Sequence, residues 1–241
     1  MYKAILLCCA VIFLGGCESA GSWRYDTKSN SMHEGRVAPA NVALAVLPFE
    51  DMRSNDNTNA TLLYMIPLMP YGYSEYNRIE GGNGFLTHGS YQIRPREDLA
   101  NSLVDELKHN NVARDIFFTQ RATEPNVDYY LQGYVQEFRY NGKIFSYGLS
   151  VYGPLLWFIG LPAGSANNTL SVDLEMKDAR TGEVVWRGRS FSSNRSLISG
   201  LYYNWGKEFD AYPEMMAEAI SIWIADLNNF LASSGKKVNH F

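Results

Sequence analysis

The chain has 241 residues, a formal net charge of −4 and 46% hydrophobic residues. A weakly acidic chain lacks the basic footprint of a nucleic-acid binder, so no nucleic-acid partner is expected. Aromatic residues make up 14%, with 16 Tyr among them, enough apolar material for one sizeable domain carrying insertions.

Residues 1–17 open with Met-Tyr-Lys, run apolar from Ala4 to Leu14 and close on Leu14-Gly15-Gly16-Cys17. A spanning helix needs about 20 apolar residues, and this run is shorter. A basic start, a short apolar stretch and small residues at a cut are the marks of a secretory signal. The segment resembles a bacterial lipoprotein signal with its lipobox. That resemblance implies removal of residues 1–16, thioether lipidation of Cys17 and acylation of its new amine with a chain such as palmitate. Each buried acyl CH₂ contributes about 0.8 kcal/mol to attachment, and two chains hold stably. Glu18 follows the cysteine where an Asp would imply retention at the inner membrane. The implied address is the outer membrane, with the domain facing the periplasm. An ordinary signal peptide with Cys17 near its cut is the alternative. Cys8 and Cys9 leave with the signal and lipid consumes Cys17, so neither a disulfide nor a cysteine-metal site is expected.

Residues 18–41 are small and polar, with Ser19, Gly21, Ser22, Ser29, Asn30, Ser31 and Gly35, and read as a flexible tether. A folded arm docking on a neighbour is the competing reading. Val42 to Phe49 is continuously apolar up to Pro48, which predicts a strand buried on both faces. Glu50 to Asn57 reads as a polar loop. Over 95–111, Leu99, Leu103 and Leu107 recur every four residues and predict a helix. Pro95 suits its first turn, Glu97 and Asp98 complement its positive end, and Asn110-Asn111 should stop it. Asp115 to Thr119 and Asp128 to Phe138 read as strands. Leu170, Val172, Leu174 and Met176 alternate with Ser171, Asp173, Glu175 and Lys177, a strand with one wet face. Arg180-Thr181-Gly182 turns into a partner strand at Glu183 to Arg189, where Arg187 and Arg189 can pair with Asp173 and Glu175. From Pro213 to Leu231, apolar residues at steps of three and four predict an amphipathic helix. Its polar face has Glu214, Glu218 and Asp226 and no Lys or Arg, which favours packing on a sheet over lying on anionic lipid.

These residues predict an α+β domain, a mixed sheet packed against two helices. Leu44-Ala45-Val46-Leu47-Pro48-Phe49-Glu50-Asp51, the helix at Leu99–Leu107, the strand Tyr129–Val135 and the hairpin Asp178–Trp186 together cover about a seventh of the chain. In that order, behind a lipobox, they resemble a group of envelope proteins. It includes the amino-terminal domain of TolB, CsgG, PelC and the lipoprotein activators of penicillin-binding proteins. The resemblance implies a scaffold, channel or regulator, and it carries no catalytic residue over. The implied organisation is a signal peptide at 1–16, a lipidated cysteine and tether at 17–41, one domain at 42–235 and a tail at 236–241. Two long inserts, near 58–93 and 140–168, depart from the group's pattern. They are too apolar and aromatic to be disordered.

The second insert has no charged residue from Ile144 to Val172 and holds Tyr147, Tyr152, Leu155, Leu156, Trp157, Phe158 and Ile159. The first holds Leu62, Tyr64, Met65 and Ile66. These eleven residues are candidates for contact with the membrane or a partner. Packing of the two inserts on each other as a second small core is the bland reading. Histidines at 33, 88, 109 and 240 show no metal spacing. No nucleophile elbow is present. Gly81-Gly82-Asn83-Gly84 lacks the Lys and Ser/Thr of a phosphate loop and reads as a turn. Neither a catalytic group, a metal nor a cofactor is expected. The function expected is non-enzymatic: assembly or interaction within an envelope complex, with self-association or another envelope protein as partner. The alternatives are an accessory lipoprotein carrying lipid or hydrophobic cargo in a pocket between the inserts, and an envelope hydrolase.

Overall fold

The computed structural model describes Tyr25 and residues 39–80 and 93–238. The signal segment, Cys17, most of the tether and the glycine run at 81–84 lie outside the described residues. The fold is α+β. Strands β1 (Ala40–Val46), β2 (Glu50–Asp51), β3 (Asn57–Ala60) and β4 (Tyr71–Tyr76) precede helix α1 (Pro95–His109). Then come β5 (Ala113–Phe118), β6 (Tyr129–Phe145), the short helix α2 (Pro154–Phe158), β7 (Gly164–Asp178), β8 (Val184–Arg187), β9 (Phe191–Ser199) and helix α3 (Ala211–Val238).

The spine is the antiparallel pair β6–β7, in register from Tyr129 opposite Asp178 to Ile144 opposite Gly164. Three strands lie in succession along the other edge of β6: β1 and β2, both parallel to it, then β4, antiparallel. β5 flanks β1 and β3 flanks β4. β9 and then β8 run along the far edge of β7.

One bulge makes this spine work. Gln136 is the extra residue between Val135, opposite Val172, and Glu137, opposite Ser171. Side chains alternate faces along a strand, so one inserted residue reverses the phase. Leu131 and Val135 before it, and Phe138 and Tyr140 after it, therefore enter the same core as Leu170, Val172, Leu174 and Met176 of β7. The helices cover that face: Leu99, Leu103 and Leu107 of α1 meet it together with Met216, Ile220, Trp223, Ile224 and Leu227 of α3. The predicted stripe of α3 is thus buried on the sheet. Leu44 and Val46 of β1 enter the main core while Ala45 joins Leu47, Val127 and Tyr130 on the opposite side, so β1 is buried on both faces as its continuous apolarity predicts.

Several boundaries differ from the sequence reading. β1 starts at Ala40, inside the expected tether, and α3 continues through Gly235 to Val238, into the expected tail. An interior glycine costs about 1 kcal/mol relative to alanine, which weakens a helix without ending it. The expected polar loop at 50–57 contains β2, because its backbone completes the ladder along β6. The inserts contribute to the sheet: the first holds β4 and most of β3, and the second begins inside β6 and ends inside β7. β9, rich in serine and without an alternating pattern, has no counterpart in the sequence reading.

Candidate interaction surface

The strand registers bring the apolar segments to one end of the sheet. Tyr71 opens β4 opposite Phe145, which closes β6. Gly164 opens β7 opposite Ile144 and Ser199 alike, and Ser199 closes β9. The connections 61–70, 146–163 and 200–205 therefore leave the same edge and form a common tip. Each belongs to a run without a charged side chain: 57–74, 144–172 and 196–206.

Backbone hydrogen bonds tie the tip together. Ser146 and Tyr147 both donate N–H to the Pro70 carbonyl at 2.9 Å, and Leu68 donates to Gly148 at 3.0 Å. The Ser150 hydroxyl donates to the Met65 carbonyl. Tyr147 Oη donates to Pro162 at 2.7 Å, and Tyr202 Oη to Phe158 at 2.9 Å. Gly153 passes so close to the Ser146 backbone that a Cβ would overlap it. Leu68, Tyr147 and Ser150 hold positive φ angles of 69°, 56° and 55°. Non-glycine residues adopt this region rarely and at a cost.

Inside the tip is a small core of Ile144, Trp157 and Ala163, with Tyr64, Tyr147, Leu201 and Trp205 packed against it. Trp157, 7% exposed, faces inward and donates its indole N–H to the Phe145 carbonyl at 3.1 Å. This corrects its placement among outward contacts: a buried indole finds an acceptor, and this one holds α2 on the end of β6. Tyr64, Tyr147 and Leu156 are half-buried. Leu62, Met65, Ile66, Tyr152, Leu155, Phe158 and Ile159 are exposed. Leu68, Leu149 and Val151, from the same two runs but not among the eleven candidates, and Tyr202, from outside both runs, are exposed beside them. Leu68 is the most exposed, at 89%. The signal that could have found Leu68 is its place between Pro67 and Pro70 in an uncharged run. The inserts do form a small core, and outside it they present a continuous series of apolar side chains to solvent.

The opposite end receives the N-terminal segment. Ala40 N–H donates to the Val112 carbonyl, beside the exit of α1. Tyr25, the one described residue of the tether's first half, packs against the main core and donates its hydroxyl to Glu106 Oε1 at 3.0 Å. Burial, together with the Glu106 and Asp105 charges, pushes its phenol pKa up. The leash is therefore fixed to the domain at Tyr25, which the tether reading did not anticipate.

Two charged clusters sit elsewhere. Arg53 is buried and grips Asp51 with two bonds of 2.9 and 3.0 Å; it also binds Glu80, and Arg78 reaches Asp51 at 3.2 Å. Burial works to raise the Asp51 pKa, but the Arg53 bonds and the two guanidinium charges outweigh it and hold the carboxyl below its ordinary range. The sequence identifies no partner for Asp51; the fold supplies two. This clamp joins the loop after β2 to the segment following β4. On the wet face, Arg187 pairs with Glu175 at 3.0 Å as expected. Arg189 instead meets Asp226 of α3 at 3.8 Å, and Asp173 accepts from Gln136. The second is Glu208, 1% exposed, with the Asp210 charge close by and the backbone N–H groups of Gly206 and Glu208 turned toward its carboxylate. Burial raises its pKa. Among the described residues no group of three His, Cys, Asp or Glu side chains is placed to hold a metal. No described helix is long and apolar enough to cross a membrane. Histidines 33, 88 and 240 lie outside the described residues, and His109 ends α1.

No family model matches the chain, and no curated protein matches it in sequence. Solved structures similar to it include a DUF330-family protein from Xanthomonas campestris, with 12% identity over 91% of this chain and 98% of that one, at a TM-score of 0.43. They also include a PelC dodecamer from Paraburkholderia phytofirmans, with 14% identity over 81% and 92%, at a TM-score of 0.36. A third is the lipoprotein GNA1162 from Neisseria meningitidis, with 16% identity over 77% and 99%, at a TM-score of 0.25.

Proposed function

We propose that this chain is a non-enzymatic, lipid-anchored protein of the outer membrane whose domain faces the periplasm and works by contact, as a component of an envelope complex. The observation that carries the reading is the tip: three uncharged connections held in fixed, partly strained conformations with apolar side chains turned outward. An accessory protein carrying a hydrophobic cargo would line a cavity with these residues. Here most of them face solvent and the inward ones fill their own small core. A monomeric soluble protein rarely exposes a large contiguous apolar patch without a use for it.

The lipobox supplies the address and Cys17 the attachment. The test follows both parts of the reading. Cells fed labelled palmitate should label the wild-type protein and not Cys17→Ser, and the label should fractionate with outer membrane. Crosslinking of the intact lipoprotein in those cells should give adducts with itself or another envelope protein. A wild-type chain that takes no palmitate overturns the anchor, and an exclusively monomeric pattern overturns the role in a complex.

A further inference from the structure

We infer that the apolar tip enters the same bilayer that holds the lipid on Cys17, giving the domain two points of attachment to one membrane and a reclined pose. The inference rests on the anchor reading above and says what the tip touches.

Charge and exposure favour a bilayer as the occupant. Leu62, Leu68, Tyr152, Leu155, Phe158 and Ile159 are all exposed at the tip, and all are aliphatic or aromatic. Tyr202, exposed beside them, donates to the Phe158 carbonyl, and Tyr71 lies under the Lys143 ammonium, 4.7 Å from the ring centroid. Exposed aliphatic side chains interleaved with tyrosines, with a lysine held against a ring, suit a segment that meets acyl chains, headgroups and water. The first charges reached from the tip are basic: Lys143, two residues back from the end of β6, and Lys207, two residues beyond Trp205. Glu208, next to Lys207, is buried, and Glu75, the nearest acid on a tip strand, is four residues into β4. That rim suits anionic phospholipid. Leu68 adds a further argument. A leucine in the left-handed region pays a backbone cost and, at 89% exposure, gains no packing in water. Acyl chains would supply that packing.

The leash sets the pose. Cys17 lies eight residues before Tyr25, so the two are at most about 28 Å apart. Tyr25 is fixed at the pole where β1 begins, and the tip lies at the far end of β6. From Tyr129 to Phe145 that strand is about 53 Å long. An upright domain on so short a leash holds its tip clear of the anchoring membrane. Both ends reach one bilayer only when the long axis lies within about 30° of its plane.

Once residues 1–16 are removed and Cys17 is lipidated, the chain has no other thiol. The intact lipoprotein can therefore carry a single environment-sensitive fluorophore at Leu68→Cys, Phe158→Cys or, at the opposite pole, Thr181→Cys. Each is reconstituted in phosphatidylethanolamine/phosphatidylglycerol vesicles with nitroxide on the acyl chains, and flotation is recorded. The expected result is a blue shift and loss of emission at 68 and 158, protection there from aqueous iodide, and neither effect at 181. Floating protein whose 68 and 158 probes behave like the 181 probe overturns the inference and leaves the anchor reading standing. Probes shielded from iodide but not quenched by the acyl nitroxides overturn it in favour of a second copy at the tip. Protein without palmitate that still floats and is quenched at 68 and 158 overturns the anchor, and with it the two-point pose. Carrying Leu155→Asp and Phe158→Asp together should abolish the quenching at 68 with flotation retained, and unchanged quenching at 68 overturns the inference.

Discussion

Gly133 lies beneath the ring of Phe49, and a Cβ there would overlap the ring carbons. This contact gives the Leu-Pro-Phe end of the first apolar run its meaning: Pro48 stops β1, and Phe49 turns down onto a strand that has no side chain at that point. Gly133→Ala should lose about 1–3 kcal/mol, read as a lower urea midpoint, because the core must shift to admit one methyl group. Glu208 makes a prediction of the opposite sign. Burial raises its folded-state pKa above the unfolded value, so the folded state holds the proton more tightly. Its stabilising effect is complete below the unfolded pKa and is lost as pH rises through the raised folded value. At pH 7.5 the group is a cost. Glu208→Gln should gain on the order of 1 kcal/mol there in thermal or chemical denaturation, with the gain shrinking toward pH 4.

Elements whose pattern has one period were legible in the sequence; elements set by their neighbours were not. α1, α3, β1 and the alternating part of β7 bury single stripes or runs, and hydrophobic spacing reports that directly. β9 carries Ser192, Ser193, Asn194 and Ser196 and exists because β7 offers it an unpaired edge. The bulge at Gln136 was invisible because the reading of β6 stopped at Phe138, just past the reversal of phase. Residues beyond it were assigned to an insert. Deleting Gln136 should place Phe138 and Tyr140 on the face opposite Leu131 and Val135, and abolish cooperative unfolding followed by near-UV circular dichroism. The clamp at Arg53 joins elements far apart in sequence, so spacing could not announce it. Arg53→Met leaves Asp51 and Glu80 without their shared cation and should cost about 3–5 kcal/mol at neutral pH. The Asp51 carboxyl is held low, so the stability it contributes is present above its unfolded pKa and is lost as pH falls through the folded value. The difference between wild type and variant should therefore narrow in acid. Of the surface, the uncharged runs were legible, whereas their meeting at one edge depends on three strand registers.

At the scale of the whole molecule the domain is bipolar, with an N-terminal pole at Ala40 and Tyr25 and an apolar pole at the tip, separated by the length of β6. With the proposed anchor at Cys17, the Tyr25–Glu106 contact does more than add a hydrogen bond: it sets how far the first pole can rise from the membrane. Freed at Tyr25, the leash would run from Cys17 to Ala40, about 80 Å when extended, which exceeds the length of the spine. Tyr25→Ala should change orientation without unfolding the domain, since the main core keeps its other members. The measurement is energy transfer from a donor at Lys108→Cys, in the last turn of α1, to acceptor lipid headgroups in the same vesicles. With Tyr25 in place, transfer should be efficient and narrowly distributed. With Tyr25→Ala, it should fall and spread as that pole lifts, while quenching at Phe158→Cys stays the same because the tip is held by its own contacts. Identical transfer in both proteins would show that the pose does not depend on the leash.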